Sequence, residues 1–241
     1  MNTRPETMQA AFYERIASEY DQRGAHETAV VSAALEFVNM LSGLFGLNTF
    51  LDVGAGTGRC MQYFLDRGKD IRGIEPVAQL IEQAERNGIP AGIIQQGSGY
   101  SLPYPDNSVD ACIECAVLHH VARPDRVVSE MMRVARRAVF LVDSNRFGHG
   151  CYVSRITKLV LYKLGLWKAA RFIQTGGRMY SFTEGDGVAY SYSVFDSYHQ
   201  LAKWAEYILL IPSDHERPVK SWLDPLLTSP GAILCAIKGK S

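Results

Sequence analysis

With 241 residues, 47% hydrophobic and 21% charged, the chain has an ordinary globular balance, long enough for one large α/β domain with an insertion. Lys plus Arg equals Asp plus Glu at 25 each, so no overall field draws it to nucleic acid or an anionic membrane. Five scattered cysteines do not make a closed disulfide framework, and Cys112 and Cys115 read as small strand residues rather than a zinc pair. The N-terminal residues carry no signal-like apolar segment, and no stretch reaches the roughly 18 apolar residues of a membrane span. A soluble, cytoplasmic protein is expected.

Residues 7–22 and 27–45 read as two helices. Apolar runs then alternate with helical patterns, the mark of a mostly parallel sheet. Strands are expected at 49–54, 70–75, 91–96, 109–114 and 138–143, with helices near 59–67, 77–87 and 125–137. Pro124 and Asp125 suit the start of the third helix, and Val127, Val128, Met131, Met132 and Ala135 share one face. About fifty residues then pass before the next helical pattern, 195–205, a gap too long for a plain connection. It holds a helical piece over 154–173, interrupted by Gly165, and then a glycine- and tyrosine-rich segment. The basic residues of that piece spread around its axis, so a solvated cap helix is expected rather than one lying on a membrane. Strands at 206–212 and 232–238 complete the pattern. The expected architecture is a single domain, 1–241: a Rossmann-like, seven-stranded, mostly parallel doubly wound sheet. N-terminal helices (1–47) precede it, and a substrate cap (146–194) is inserted after the fifth strand.

"LDVGAGTG" places Gly54, Gly56 and Gly58 directly after the first strand. In such a sheet ligands bind outside the carboxyl ends of the strands, so this turn lines a pocket. A dinucleotide turn spelled GxGxxG would need a third glycine where Arg59 or Met61 stands, and no Gly-Lys-Ser/Thr of a Walker loop follows. A phosphate is therefore disfavoured.

These residues resemble the first motif of the class I S-adenosylmethionine-dependent methyltransferases, small-molecule type, similar to the ubiquinone and menaquinone group. Glu75, 17 residues past Gly58, stands where that family has an acid on the two ribose hydroxyls. A carboxylate suits a vicinal diol because it accepts two hydrogen bonds. "QGSGYSLPYPDNSVDACIECAVLHHV" resembles the stretch around the adenine and the fourth strand, and "FYERIASEYD" the opening helix with its Tyr-Asp pair. The resemblance runs from about residue 12 to 143. It implies S-adenosyl-L-methionine as cofactor, released as S-adenosyl-L-homocysteine. The residues implied to hold it are Tyr20, Asp52, Gly54, Ala55, Gly56, Gly58, Glu75, Pro76, Gly97, Ser98, Gly99, Cys115 and Ala116. Tyr13 is the alternative to Tyr20, and Asp52 could instead cap the following helix. Ser98 replaces the family's usual Asp at the adenine amine, a weaker acceptor by ~1 kcal/mol.

His119 and His120 lie just past the fourth strand, where a group titrating near neutrality could take a proton from a nucleophile. The pair could equally just complete the turn. Asp143 ends the fifth strand at the same mouth, beside Asn145. In the cap, Arg178, Tyr180, Tyr190 and Tyr192 are the candidates to line an apolar or ring-bearing acceptor, or merely to pin the cap down. No His/carboxylate cluster shows metal-ligand spacing, so no metal is expected. After the fourth strand "ECAVLHHV" stands in place of the Asp/Asn-Pro-Pro-Tyr signature of amino methylation on nucleic acids and proteins. The expected reaction is methyl transfer by in-line displacement to an O, N or C atom of a small molecule, with no nucleic acid or membrane partner. The alternative is a non-catalytic module that binds the same cofactor.

Overall fold

The computed structural model describes residues 5–23, 25–213 and 225–239, without the side chains of 23–30. Residues 1–4 of the expected N-terminal helices, and the ends of the expected 1–241 domain, lie outside the described residues.

A seven-stranded sheet forms the middle layer. β1 (Thr49–Val53), β2 (Asp70–Glu75), β3 (Ile94–Gln96), β4 (Val109–Cys115) and β5 (Ala135–Ser144) are parallel to one another. After the cap, β8 (Tyr207–Pro212) and β9 (Gly231–Ile237) complete the order β3-β2-β1-β4-β5-β9-β8, with β9 antiparallel to both its neighbours. Strand residues alternate between the two faces. Phe50, Ala111 and Phe140 join Val38 and Leu41 of α3 (Ala25–Phe45) and Met61 and Phe64 of α4 (Arg59–Leu65) in one core. Leu51, Cys112 and Leu141 face Val127, Val128 and Met131 of α6 (Pro124–Val134) and Leu201 of α9 (Val194–Ala202) in the other. Both faces being covered, the strands read as continuous apolar runs. The remaining helices of this layer are α1 (Pro5–Ile16), α2 (Tyr20–Arg23) and α5 (Ala78–Arg86).

Each of the seven strands overlaps its expected position, but β3 starts three residues later than expected, β5 three earlier, and α6 ends three residues short of the expected 137. Ala135 pairs with Val109 instead of extending the helix face. The amides of Asn107 and Ser108 take up the Arg133 and Val134 carbonyls, so the ladder with β4 ends the helix.

The insertion has two parts. α7 (Tyr152–Lys163) and α8 (Trp167–Gln174) are separated at Gly165, and neither has a fully buried residue. Then β6 (Tyr180–Thr183) and β7 (Gly187–Tyr190) form a hairpin absent from the sequence reading. Its turn residues look like loop, and its outer residues are too exposed to give an alternating apolar signal. Two buried knots tie the insertion down. Asn145 donates to the carbonyls of Pro225, Leu226 and Ser229 at 2.9–3.1 Å and accepts from Phe147 N and Ser193 Oγ. The Arg146 guanidinium pairs with Asp196 and lies 5.3–5.7 Å from the rings of Phe147, Tyr162 and Trp167.

Candidate active site

The glycine turn is built by two strand ends. Gly54 N and Ala55 N donate to Ile74 O, and the Glu75 carboxylate accepts from Gly56 N at 2.9 Å and Val77 N at 3.0 Å. Gly54 is required twice over: its φ is +85°, and a Cβ there would meet Val117 Cγ2 at 2.5 Å. At Gly56 a Cβ would meet nothing within 4 Å, so the turn opens on a cradle there. Tyr20, Asp52, Gly54, Ala55, Gly56, Cys115 and Ala116 line one cleft. Asp21 on α2 holds the N-terminal helices over this turn by accepting from Thr57 Oγ1 and Asn87 Nδ2.

Two buried acids await a partner here. Neither oxygen of Asp52 has a hydrogen bond of normal length, and its neighbour Cys60 is only a weak donor. Burial pushes its pKa up to about 7. Burial likewise pushes Glu75 up to about 7, against the two backbone amides that favour its charge. Each Glu75 oxygen still has acceptor capacity left. Ala116 has φ +60°, a strained value for a residue with a side chain, and its amide is held by Val142 O at 2.8 Å. The backbone leaving β4 is thus bent sharply at the cleft.

At the far end of the turn, Gly97 N donates to Glu75 O, while Ser98 is exposed and its Oγ accepts from Tyr100 N at 3.2 Å. Pro76 and Gly99 sit on the same β2 and β3 ends. Gly58 caps α4.

The second half of the site is a pair of imidazoles. His119 Nδ1 lies 2.7 Å from Asp143 Oδ1, while Asp143 Oδ2 accepts from Leu118 N at 2.7 Å and His119 N at 3.3 Å. Burial works to raise the Asp143 pKa, but His119 and the Ser144 amide hold it below the usual carboxylate range. An ionised carboxylate only accepts, so Nδ1 of His119 carries the hydrogen and Nε2 is left as the basic atom. His120 Nδ1 sits 2.7 Å from Val188 O and 3.2 Å from Gln9 Nε2, and its ring centroid is 3.9 Å from that of His119. The β6–β7 hairpin brings Asp186 to both rings, 3.8 Å from His119 Nε2 and 3.4 Å from His120 Nε2. The ligand atoms of His119, His120 and Asp186 all lie within 4.8 Å of one another, so this group could hold a divalent cation. Residue spacing hides it, because the third member comes from the cap. Tyr13 joins the two halves, its ring 5.7 Å from Tyr20 and 5.8 Å from His120.

Of the expected acceptor residues, Tyr180 and Tyr190 face each other across the hairpin with centroids 6.0 Å apart, and burial pushes the Tyr190 phenol up to about 12. The other three are elsewhere. Tyr192 is buried in the second core with its hydroxyl on Ser197 Oγ, Asn145 is the knot described above, and exposed Arg178 bonds Thr175 O of its own turn. Sequence reasoning missed Glu114, fully buried in β4 with Oε2 accepting from Val117 N. Burial, then the neighbouring Asp143, raises its pKa well above the usual range. An acid inside the apolar run "DACIEC" was the available signal. Gln9 and Asp186 gave none, since their contact with His120 spans more than a hundred residues for one and over sixty for the other.

Comparison with known proteins agrees with this geometry. A methyltransferase-domain profile matches residues 51–142. An uncharacterised methyltransferase of Mycolicibacterium gilvum is 30% identical over 184 residues, covering 70% of this chain and 71% of that one. Among solved structures, a S-adenosylmethionine-dependent methyltransferase of Thermotoga maritima has TM-score 0.62 at 18% identity, covering 96% of this chain and all of its own. The magnesium protoporphyrin IX methyltransferase of Synechocystis, solved with S-adenosylhomocysteine, has TM-score 0.62 at 15% identity, covering 98% of this chain and 100% of its own. Sheet order, glycine turn and these relatives agree that the chain belongs to the class I S-adenosylmethionine-dependent methyltransferases.

Proposed function

We propose that this methyltransferase methylates a nucleophilic atom of a small-molecule acceptor, with the His119–Asp143 pair as its base. The observation that carries this reading is the 2.7 Å contact between His119 Nδ1 and Asp143 Oδ1, three residues along the chain from Ala116 of the glycine-turn cleft. When bound, S-adenosylmethionine supplies an electrophilic methyl carbon on its sulfonium.

The residues present fit that cofactor. Asp52, whose oxygens lack a partner, suits an ammonium group. Glu75 retains lone pairs for a vicinal diol, and the open cradle at Gly56 with the bent backbone at Ala116 lets a ligand approach the chain closely. Ser98 Oγ, with Gly97 and Gly99 beside it, can accept from an exocyclic amine. Tyr20 and Tyr13 close the cleft from the N-terminal side and keep water out. Pro76, Ala55, Gly58 and Cys115 shape its walls.

On the acceptor side, His119 Nε2 takes the proton of a hydroxyl or amine as the nucleophile attacks. Asp143 fixes the ring and stabilises the imidazolium that results. Burial and the neighbouring Asp143 push the Glu114 pKa upward, which disfavours a second negative charge there. His120 and Asp186 bound the same space, and Tyr180 and Tyr190 offer aromatic faces to the body of the acceptor. Alignment of the reacting atoms accounts for roughly 7–11 kcal/mol of the barrier in such a displacement.

The test is incubation with S-adenosylmethionine labelled on its methyl group, over a panel of phenolic, sugar-hydroxyl and amine acceptors. Transfer to one class by the wild type, lost in His119→Ala with cofactor binding intact, is the expected result. Cofactor binding with no transfer to any acceptor would instead favour the non-catalytic module.

A further inference from the structure

The insertion presents its apolar side to the outside. On α7, Val153 is 74% exposed, and Ile156, Val160 and Leu164 continue the same stripe at helical spacing. On α8, Phe172 and Ile173 are exposed, the latter by 80%. Arg155 and Lys158 of α7 turn the other way. Arg155 donates to the carbonyls of Gly150 and Leu227, and Lys158 to those of Arg146 and His149. A water-facing helix has the opposite arrangement, with its apolar stripe toward the core. The helix is solvent-exposed as expected, with no buried residue, but the side it shows is aliphatic. The charges do spread around the axis, but two of them, Arg155 and Lys158, are taken up by backbone carbonyls, leaving a largely aliphatic outer face.

The charges carried by this segment have one sign. From 144 to 183 there is no Asp or Glu, in a chain whose formal net charge is zero, and Lys163 and Lys168 stand exposed at its rim. No helix among the described residues is long and apolar enough to cross a membrane. Apolar side chains flanked by lysines suit a surface that takes up aliphatic groups while offering anions at its edge. A second copy of the chain fits less well. Two-fold pairing would bring two copies of the same lysine-rimmed patch together.

We propose that the outer face of α7 and α8 seats on an anionic lipid surface, with the aliphatic stripe at the acyl boundary and Lys163 and Lys168 among the phosphates. This inference is independent of the acceptor and of the catalytic role of His119.

The test is co-sedimentation of the full chain with vesicles of phosphatidylcholine alone and of phosphatidylcholine mixed with phosphatidylglycerol. Binding to the mixed vesicles, weakened by salt, is expected. Val160→Ser with Ile173→Ser should lower partitioning about tenfold or more. Lys163→Ala with Lys168→Ala should lower it about tenfold on mixed vesicles and remove most of the salt dependence. Both pairs are exposed, so melting temperature and S-adenosylhomocysteine affinity should stay unchanged. The proposal is overturned if the wild type does not pellet with mixed vesicles, or if neither pair of substitutions changes its binding. A dimer in sedimentation velocity that Val160→Asp dissolves would assign the face to a second copy and overturn it as well.

Discussion

The cleft at the ends of β1, β2 and β4 and the cap over it are built on different terms. In the cleft the two buried acids, Asp52 and Glu75, sit on strands of one sheet, and the turn is held by hydrogen bonds between the ends of neighbouring strands. In the cap, Asp186 and Val188 reach the imidazoles from a two-stranded hairpin that Gln9 of α1 clamps, next to helices with no fully buried residue. A cofactor shared by a whole family needs an unchanging frame, which the central sheet provides. The cap, packed outside that core, can vary without disturbing it.

Substitutions on either side should separate the two halves. The largest effect is expected at their junction: His119→Ala should lower kcat by about 10²–10⁴-fold, with S-adenosylhomocysteine affinity within about twofold of wild type. Loss of both together would show that the halves are not independent. Glu75→Ala removes an acceptor of two charge-assisted hydrogen bonds and should weaken S-adenosylhomocysteine binding by about a hundredfold in titration calorimetry. Unchanged affinity would remove the ribose assignment. In the cap, Arg146→Leu leaves Asp196 without its cation and should cost about 3 kcal/mol in denaturant unfolding. Proteolysis should then open α7–α8 while cofactor binding survives.

The cleft should also respond to pH. Asp52 and Glu75 have folded pKa values of about 7, above their ordinary 3.8 and 4.5. An acid with a raised folded pKa contributes stability below its unfolded value and loses it as pH rises through the folded one. The cofactor-free melting temperature should therefore fall between about pH 4 and about pH 8. A cationic ammonium beside Asp52 favours its charged form, so binding near neutrality should release a fraction of a proton. The heat of binding would then depend on the ionisation enthalpy of the buffer; equal heats in phosphate and Tris would argue against the ammonium assignment. The smallest effect is expected at Arg178→Ala, exposed and bonded within its own turn, where KM should move by less than about threefold. A larger change would bring Arg178 back to the acceptor.

The seven strands, the glycine turn and the position of Glu75 were all legible in the residues. Each is a local pattern: an apolar run long enough for a strand buried on both faces, or a turn whose φ values only glycine takes without strain. The His119–Asp143 contact was half legible, since parallel neighbours β4 and β5 end side by side at the same edge of the sheet. Only the tertiary structure decided that Asp186 and Gln9 meet His120, that Asn145 and Tyr192 are buried supports, and that α7 turns its aliphatic side outward. Those contacts join residues far apart in the chain, and the periodicity of a helix says which residues share a face but not which way that face points.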